Sequence, residues 1–181
     1  MKATLLGTGA ADGIPAFYSG TRVSRYAREN GGKDVRSRCA AIVDDVLKID
    51  LGPDTWHQLA REGHDARDWI ALLITHSDDD HFSIDELQYA VYPFNVMEFF
   101  GFPIYGNQHV SRQIIERYPD WPFEVTVTKS FQPVEIALQV GGVGTGVEIG
   151  QIPFRQVAEG LVAALGQGVA QGFGHGGLVR G

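Results

Sequence analysis

Short apolar runs alternate with polar, glycine-containing segments along the first 136 residues of the chain. The runs are bounded by glycine, proline or aspartate, which favours strands over buried helices. They predict strands at 3–6, 39–43, 46–49, 69–75, 103–105, 123–128 and 134–136, with helices at 54–62, 83–91 and 107–117 between them. The polar stretch at 19–38 is predicted to be a long loop or an excursion. The pattern thus predicts strands and helices over the first 136 residues.

Composition and length suit an ordinary globular protein. The chain has 181 residues, of which 44% are hydrophobic and 20% charged, as expected for a single domain with its own core. The formal net charge is -7, so an extended basic face for nucleic acid is not expected. A small anionic substrate is compatible with this charge, because a bound divalent metal would supply local positive charge.

Two further features concern the compartment. Cys39 is the only cysteine, so no disulfide within the chain is expected and a reducing environment is favoured. The apolar run at the start of the sequence is too short for a signal peptide, and no segment approaches the ~20 apolar residues of a membrane helix. These features predict a cytoplasmic protein without a membrane segment.

The composition changes near Leu138. Residues 138–181 contain 13 of the 23 glycines and only four charged residues, Glu148, Arg155, Glu159 and Arg180. We therefore expect residues 1–137 to form one domain and 138–181 to be a glycine-rich tail. Two explanations of the tail stay open: a flexible segment, or a segment that is not the native continuation, as after a frameshift or a gene truncation.

The candidate chemistry lies in Thr75-His76-Ser77-Asp78-Asp79-Asp80-His81-Phe82. This segment follows a predicted buried strand and precedes Ser83-Ile84-Asp85-Glu86, whose spacing predicts a capping box. Imidazole and carboxylate groups are ligands for zinc and related metals, and the carboxylates would repel one another without a cation. The alternative is a solvated acidic loop with two incidental histidines. An EF-hand loop does not fit, because Phe82 and Ser83 would stand at its fifth and sixth positions.

This segment resembles the H-x-H-x-D-H signature of the metallo-β-lactamase superfamily. The opening Leu6-Gly7-Thr8-Gly9-Ala10-Ala11-Asp12-Gly13-Ile14-Pro15 is similar to the start of the branch that holds ribonuclease Z-like proteins and the PhnP-type cyclic phosphodiesterases of phosphonate breakdown. Residues 38–43, Ile49-Asp50-Leu51-Gly52 and Ile104-Tyr105-Gly106 resemble that branch's second strand pair, its I-D-x-G element and its P-x-Y-G strand. The resemblance covers residues 1–136. It implies an α/β fold, the four-layer αββα sandwich, here incomplete in its C-terminal half.

The resemblance also implies a site and a reaction. His76 and Asp78 would hold a first metal ion, Asp80 and His81 a second, and Asp80 would also be the catalytic residue that orients the attacking water. Asp50 would lie beneath the site as an acceptor for a metal-bound histidine. The implied reaction is attack by a metal-bound hydroxide on a small phosphodiester, with zinc as the first choice of metal and manganese or iron as alternatives.

Departures from the family pattern motivate a second hypothesis. Asp78 stands where the family has its second histidine, and a carboxylate would weaken the Lewis acidity of the metal. The family takes further ligands from its C-terminal half, but only His109, expected on the surface, and His175, which nothing supports, follow His81. Residues 17–38 contain no cysteine for the extra structural zinc of the PhnP type. The second hypothesis is a truncated or diverged, inactive member that acts at most as a binding module.

The glycine-rich opening does not predict nucleotide binding. Gly7-Thr8-Gly9-Ala10-Ala11-Asp12 lacks the last glycine of G-x-G-x-x-G, and Pro15 argues against a helix that opens there. A tight turn beside the metal site is predicted instead, from which Asp12 would approach the substrate. An incomplete sandwich would expose apolar strand faces, so a homodimer is a further expectation.

Overall fold

The computed structural model describes residues 2–95, 102–122, 124–129 and 132. Its strands are β1 (Ala3–Gly7), β2 (Ala40–Val43), β3 (Leu47–Ile49), β4 (Ala71–Leu73), β5 (Ile104–Gly106) and β6 (Val125–Val127). Its α-helices are α1 (Arg22–Asn30), α2 (Thr55–Glu62) and α3 (Gln108–Arg117), and 3₁₀ segments occupy Gly32–Asp34, Ala66–Asp68 and Ile84–Ala90. The strand predicted at 134–136 and the tail predicted at 138–181 lie outside the described residues. No helix within the described ranges is long and apolar enough to cross a membrane.

The six strands form one sheet in chain order. The pairs β1–β2 and β2–β3 are antiparallel, whereas β3, β4, β5 and β6 run parallel to one another. The hairpin between β2 and β3 turns at Asp44 and Asp45, whose φ angles of 49° and 64° are those of a type I′ turn. The carboxyl ends of β3 and β4 consequently lie at one edge of the sheet, and the candidate segment follows β4 at that edge.

Each face of the sheet carries its own apolar cluster. On one face, strand residues such as Leu6, Ile42, Leu72 and Ile104 pack with Leu59 of α2 and with Val110 and Ile114 of α3. The opposite face is formed by buried side chains that alternate with these, namely Ala41, Val43, Leu47, Ile49, Ala71, Leu73 and Tyr105. Side chains on a strand alternate between faces, so strands buried on both faces appear as continuous apolar runs. The strands predicted from such runs in the described ranges are present.

The stretch at 19–38 is predicted as a long loop or an excursion, and the loop alternative is wrong because this stretch contains α1. The hydroxyl of Thr21 caps the helix by accepting from the Ser24 N–H, and Gly31, with φ 62°, ends it. Only Ser24 and Ala27 of this helix are buried. Val23, Tyr26 and Ala27 stand at helical spacing, but Val23 and Tyr26 are exposed. This short stripe lies among charged residues and is outweighed by the polar composition and by Gly31-Gly32.

The capping box predicted at Ser83 is also absent, and residues 84–90 form a 3₁₀ segment. Ser83 makes no side-chain cap bond, and its backbone N–H donates to the Leu51 carbonyl over 2.7 Å. This tertiary hydrogen bond ties the segment to the loop after β3. The predicted cap of α3 is confirmed, since the Asn107 side chain accepts from two backbone N–H groups at the start of the helix.

Candidate metal centre

The candidate segment meets the end of β3 through the carboxylate of Asp50. Asp50 follows β3 directly and is 3% exposed. Its Oδ1 accepts from the backbone N–H of Thr75 and from the Thr75 hydroxyl, each over 2.8 Å, and its Oδ2 lies 2.6 Å from Nδ1 of His81. Two parallel strands that end side by side thus bring together groups 25 and 31 residues apart in the chain.

Asp50 holds this position in a backbone conformation that L-residues rarely adopt. Its φ is 60°, in the left-handed region, which costs a residue with a Cβ roughly 1–2 kcal/mol. Aspartate tolerates this region better than most residues do. The turn sends the chain away from the sheet and directs the Asp50 carboxylate toward Thr75 and His81. Strained backbone of this kind often occurs at functional sites.

The carboxylate of Asp50 lies in hydrogen-bonding distance of Nδ1 of His81 and sets the orientation of the imidazole ring. This hydrogen bond raises the pKa of His81 above its ordinary value, whereas burial lowers it. The negative charges of Asp50, Asp80 and Asp78 also raise the pKa of His81. Because a carboxylate can only accept, Nδ1 of His81 carries a proton. Nε2 of His81 then lies on the far side of the ring, 3.3 Å from Oδ2 of Asp80.

His76 and Asp78 form an outer counterpart to that pair. The Thr75 hydroxyl lies 2.9 Å from Nδ1 of His76, and Nε2 of His76 lies 3.6 Å from Oδ2 of Asp78. The two imidazole rings are 4.0 Å apart, centre to centre. Side-chain exposure separates the pairs, at 42% and 76% for His76 and Asp78 against 18% and 15% for His81 and Asp80.

Backbone contacts fix the segment against the loop after β3. The Leu51 N–H donates to the His81 carbonyl over 2.8 Å, and His81 and Phe82 both donate to the Asp78 carbonyl. Gly52 sits so close to this strand end that an added Cβ would lie 2.1 Å from the Asp80 carbonyl oxygen. The glycine of the I-D-x-G element therefore permits the contact between the two loops.

Known proteins with a similar structure identify the fold of this chain. No protein-family model matches this chain, and no curated protein matches it. Among solved structures, it is similar to a diphosphatase from the PhnP family, with 22% identity, a TM-score of 0.57, and coverage of 74% of this chain and 52% of that one. It is also similar to Zn²⁺-bound PqqB from Methylobacterium extorquens, with 18% identity, a TM-score of 0.59, and coverage of 76% and 49%.

Both structures are metallo-β-lactamase fold proteins. This chain has the metallo-β-lactamase fold. The resemblance noted in the sequence is thus confirmed at the level of the fold, as is the α/β class. The chain spans about half the length of these two structures. The expectation that the sandwich is incomplete in its C-terminal half falls on residues outside the described ranges.

The donor chemistry in this metallo-β-lactamase fold suits a divalent metal. Each histidine has a hydrogen-bonding partner at Nδ1 and a carboxylate beside Nε2, and oriented imidazoles of this kind are the usual surroundings of zinc. The number of donors is smaller than a complete site needs. In the described part of the chain, no group of three or more His, Cys, Asp or Glu side chains is arranged to hold a metal ion. The four side chains alone would therefore supply only part of a ligand set.

Asp12 and His109 make no hydrogen bond or ion pair to the described residues of this segment. Asp12 is exposed and lines a shallow cavity with Phe17, Tyr18 and Arg38. It makes no hydrogen bond or ion pair to any other described residue. His109 is exposed in the first turn of α3, as expected for a surface histidine. His175 lies outside the described residues.

One residue near the centre was not singled out by the sequence. Lys48 of β3 is 0% exposed, and its ammonium group donates to the backbone carbonyls of Ile49, over 3.1 Å, and of Asp50. Burial lowers the pKa of Lys48 to about 8. In the sequence the only signal is a single lysine inside the apolar run Val46-Leu47-Lys48-Ile49, which normally indicates a side chain that faces solvent.

Proposed function

We propose that this chain is a metal-dependent hydrolase that cleaves a small phosphodiester or a similar phosphorus–oxygen bond. The observation that carries the proposal is the arrangement of the two histidines. Both have Nδ1 engaged in a hydrogen bond and Nε2 beside a carboxylate, at one edge of a metallo-β-lactamase sheet. Such an arrangement costs free energy through clustered carboxylates, and a cation among them would relieve that cost.

The ligands would be His76 and Asp78 for one ion and Asp80 and His81 for another. A bound zinc ion, or manganese or iron in its place, would lower the pKa of a coordinated water and polarise the bond to be cleaved. Asp50 would keep His81 in the tautomer whose Nε2 is free to bind metal. Further ligands would have to come from water or from residues outside the described ranges.

Asp80 would be the residue that orients the attacking water. Its side chain is 15% exposed, and its Oδ2 lies 3.3 Å from Nε2 of His81. The Asp80 carboxylate would therefore lie next to a metal ion bound at Nε2 of His81. A carboxylate at that point can accept a proton from water as the bond to phosphorus forms. Asp12, on its exposed turn, is the proposed contact to the substrate.

The choice of substrate class rests on charge and on similarity of fold. A chain with a net charge of -7 attracts anions poorly unless a metal supplies positive charge at the site. A phosphodiester is the kind of anion that such a metal would hold. One of the similar solved structures is a diphosphatase, which also makes phosphorus–oxygen bonds the first to test.

The decisive experiment uses the full chain purified without chelators. Elemental mass spectrometry gives the metal content, and bis(p-nitrophenyl) phosphate serves as a generic phosphodiester. We expect at least one equivalent of zinc, manganese or iron, and turnover that chelation abolishes and metal restores. His76→Ala and His81→Ala should lose both metal and turnover, while His109→Ala, an exposed histidine away from the segment, should lose neither. Unchanged metal content and turnover in His76→Ala and His81→Ala would refute the proposal.

A second candidate is an inactive member of the fold that serves at most as a binding module. It is favoured by Asp78 in the place of the family's second histidine and by the lack of any three-donor group in the described part of the chain. It predicts far less than one equivalent of metal in the same preparation. Robust metal-dependent turnover would exclude it.

A further inference from the structure

Lys48 lies in a position that neither its residue type nor the proposed chemistry explains. It is fully buried on the face of β3 that carries Ile42 and Leu72 as its neighbours in register. Its ammonium group lies 5.9 Å from the centre of the Trp69 ring. No carboxylate lies within ion-pairing distance of it among the described residues. Lysine is almost never fully buried without a partner, so this position requires a reason.

The partners of the ammonium group are two backbone carbonyls at the end of β3. Strand β3 ends at Ile49, the Asp50 N–H still donates to the Leu73 carbonyl over 2.8 Å, and Asp50 turns into the left-handed region with φ 60°. Lys48 donates to the carbonyls of Ile49 and Asp50. A buried carbonyl that loses its strand partner needs another donor, and a charged donor gives the stronger hydrogen bond. Lys48 thus supports the turn from inside the core.

The same turn directs the Asp50 carboxylate toward His81. The carboxylate and the carbonyl of Asp50 belong to one residue, and its backbone conformation sets the angle between them. If the carbonyl lost its donor, the turn would be held only by the bonds of the Asp50 N–H and carboxylate. A shift of the turn would then move the carboxylate relative to Nδ1 of His81 and the N–H of Thr75, to which it is bonded over 2.6 and 2.8 Å.

We propose that Lys48 is a positioning residue of the His76–His81 centre, whose buried ammonium group holds the left-handed turn at Asp50 and thereby orients His81. Lys48 does not contact substrate or metal in this account. The part of the proposal that concerns metal affinity rests on the proposed function. The part that concerns the geometry of Asp50 and His81 does not.

The test is the nuclear magnetic resonance spectrum of the full chain without metal. A proton on Nδ1 of His81 that is bonded to a carboxylate gives a downfield, slowly exchanging signal. We expect this signal in the wild type, its loss or displacement in Lys48→Met, and its retention in Leu72→Val. Leu72→Val is the matched control. Leu72 is the register partner of Lys48 on β4, so this substitution removes volume from the same core but leaves the Lys48 hydrogen bonds in place.

Metal affinity provides the second measurement. A titration with Co²⁺, followed by its visible absorption, should give an affinity for Lys48→Met about tenfold below that of the wild type, as found when partners behind a ligand are lost. Leu72→Val should bind Co²⁺ as the wild type does. If the wild type binds no metal, the proposed function fails, and the His81 signal alone decides the role of Lys48. A signal and a Co²⁺ affinity in Lys48→Met equal to those of Leu72→Val would overturn the role.

The wild type provides a test should Lys48→Met fail to fold. Near pH 6 the ammonium protons of Lys48 should exchange slowly and correlate with the Asp50 carbonyl carbon through the hydrogen bond. The exposed ammonium group of Lys2 is the reference for fast exchange. Exchange of the Lys48 protons as fast as those of Lys2 would overturn the proposal.

Discussion

The contact between Gly52 and Asp80 gives a prediction that isolates the junction of the two loops. In Gly52→Ala the new Cβ would stand 2.1 Å from the Asp80 carbonyl oxygen and 3.1 Å from its carbon. Real Cβ atoms essentially never approach closer than 3.0 Å, so one backbone must move by about 0.9 Å, the difference between 3.0 and 2.1. No side chain can rotate out of the way, because the obstacle is backbone.

Neither side of the contact is free to move without loss. The carbonyl of Gly52 accepts from the hydroxyl and the N–H of Thr55 at the start of α2, over 2.7 and 3.1 Å. The backbone after Asp80 is bonded to Leu51 through the His81 carbonyl. Overpacking that forces such backbone shifts typically costs about 1–3 kcal/mol. We expect a loss of unfolding free energy in that range for Gly52→Ala.

Two other glycines serve as controls for this measurement. Gly20 has nothing within 4 Å of an added Cβ and no positive φ, so Gly20→Ala should change the unfolding free energy by no more than about 0.5 kcal/mol. Gly63 has open space around an added Cβ but a φ of 72°. Gly63→Ala should therefore lower the unfolding free energy by roughly 1 kcal/mol, through the cost of left-handed backbone alone. Urea unfolding followed by circular dichroism gives the three values, and the Nδ1 proton signal of His81 reports on the site. The reasoning is refuted if Gly52→Ala is as stable as Gly20→Ala and leaves that signal unchanged.

Two further predictions concern the carboxylates. Asp50→Asn should lower the pKa of His81, measured by titrating its imidazole resonances. The raised pKa of His81 in the folded wild type adds stability at pH values below about 6.5, and this stability is lost as the pH rises through the folded-state pKa. The loss of unfolding free energy in Asp50→Asn should therefore be larger near pH 6 than at a pH above the folded-state pKa of His81. A constant loss across this range would contradict the assignment. Asp78→His should raise zinc affinity, measured by competition with a chromophoric chelator, because it replaces a proposed carboxylate ligand that is 76% exposed with the imidazole typical of the resembled family. The same change one residue along the loop, Asp79→His, should not; equal gains in the two variants would contradict a specific role for position 78.

The sequence predicts the sheet well where local signals and burial agree. The two aspartates at 44 and 45 between apolar runs suit a tight turn, and the hairpin between β2 and β3 turns there. Asn107 predicts the start of α3 because its side chain bonds to the backbone within the next three residues. Helix α1 is not predicted because its apolar residues, Val23, Tyr26 and Ala27, are few and lie among charged residues, although Thr21 and Gly31 are available as start and stop signals.

In the candidate centre, too, residues close in the chain are predicted and residues brought together by the fold are not. The residues of the His76–His81 segment are adjacent in the chain, so their chemistry is visible as a motif. Asp50 enters only through the resemblance, because its contact to His81 spans 31 positions. Lys48 is not predicted at all, since its role depends on a backbone turn and on burial that no local pattern encodes. Ser83 gives the opposite error, a local capping signal that a tertiary bond to Leu51 overrides.

Asp80 and His81 form the more buried, inner pair of the segment, and His76 and Asp78 form the more exposed, outer pair. Asp80 and His81 are held by protein groups, namely by Asp50, by the backbone bond to Leu51 and by the close approach of Gly52. The inner pair would therefore present its donors to an ion in a fixed arrangement. A metal bound there would stabilise the folded chain by mass action, according to its concentration relative to the dissociation constant. His76 and Asp78 are more exposed, at 42% and 76% of their side chains, so the affinity of the proposed centre would depend most on how well these two close over an ion held by the inner pair.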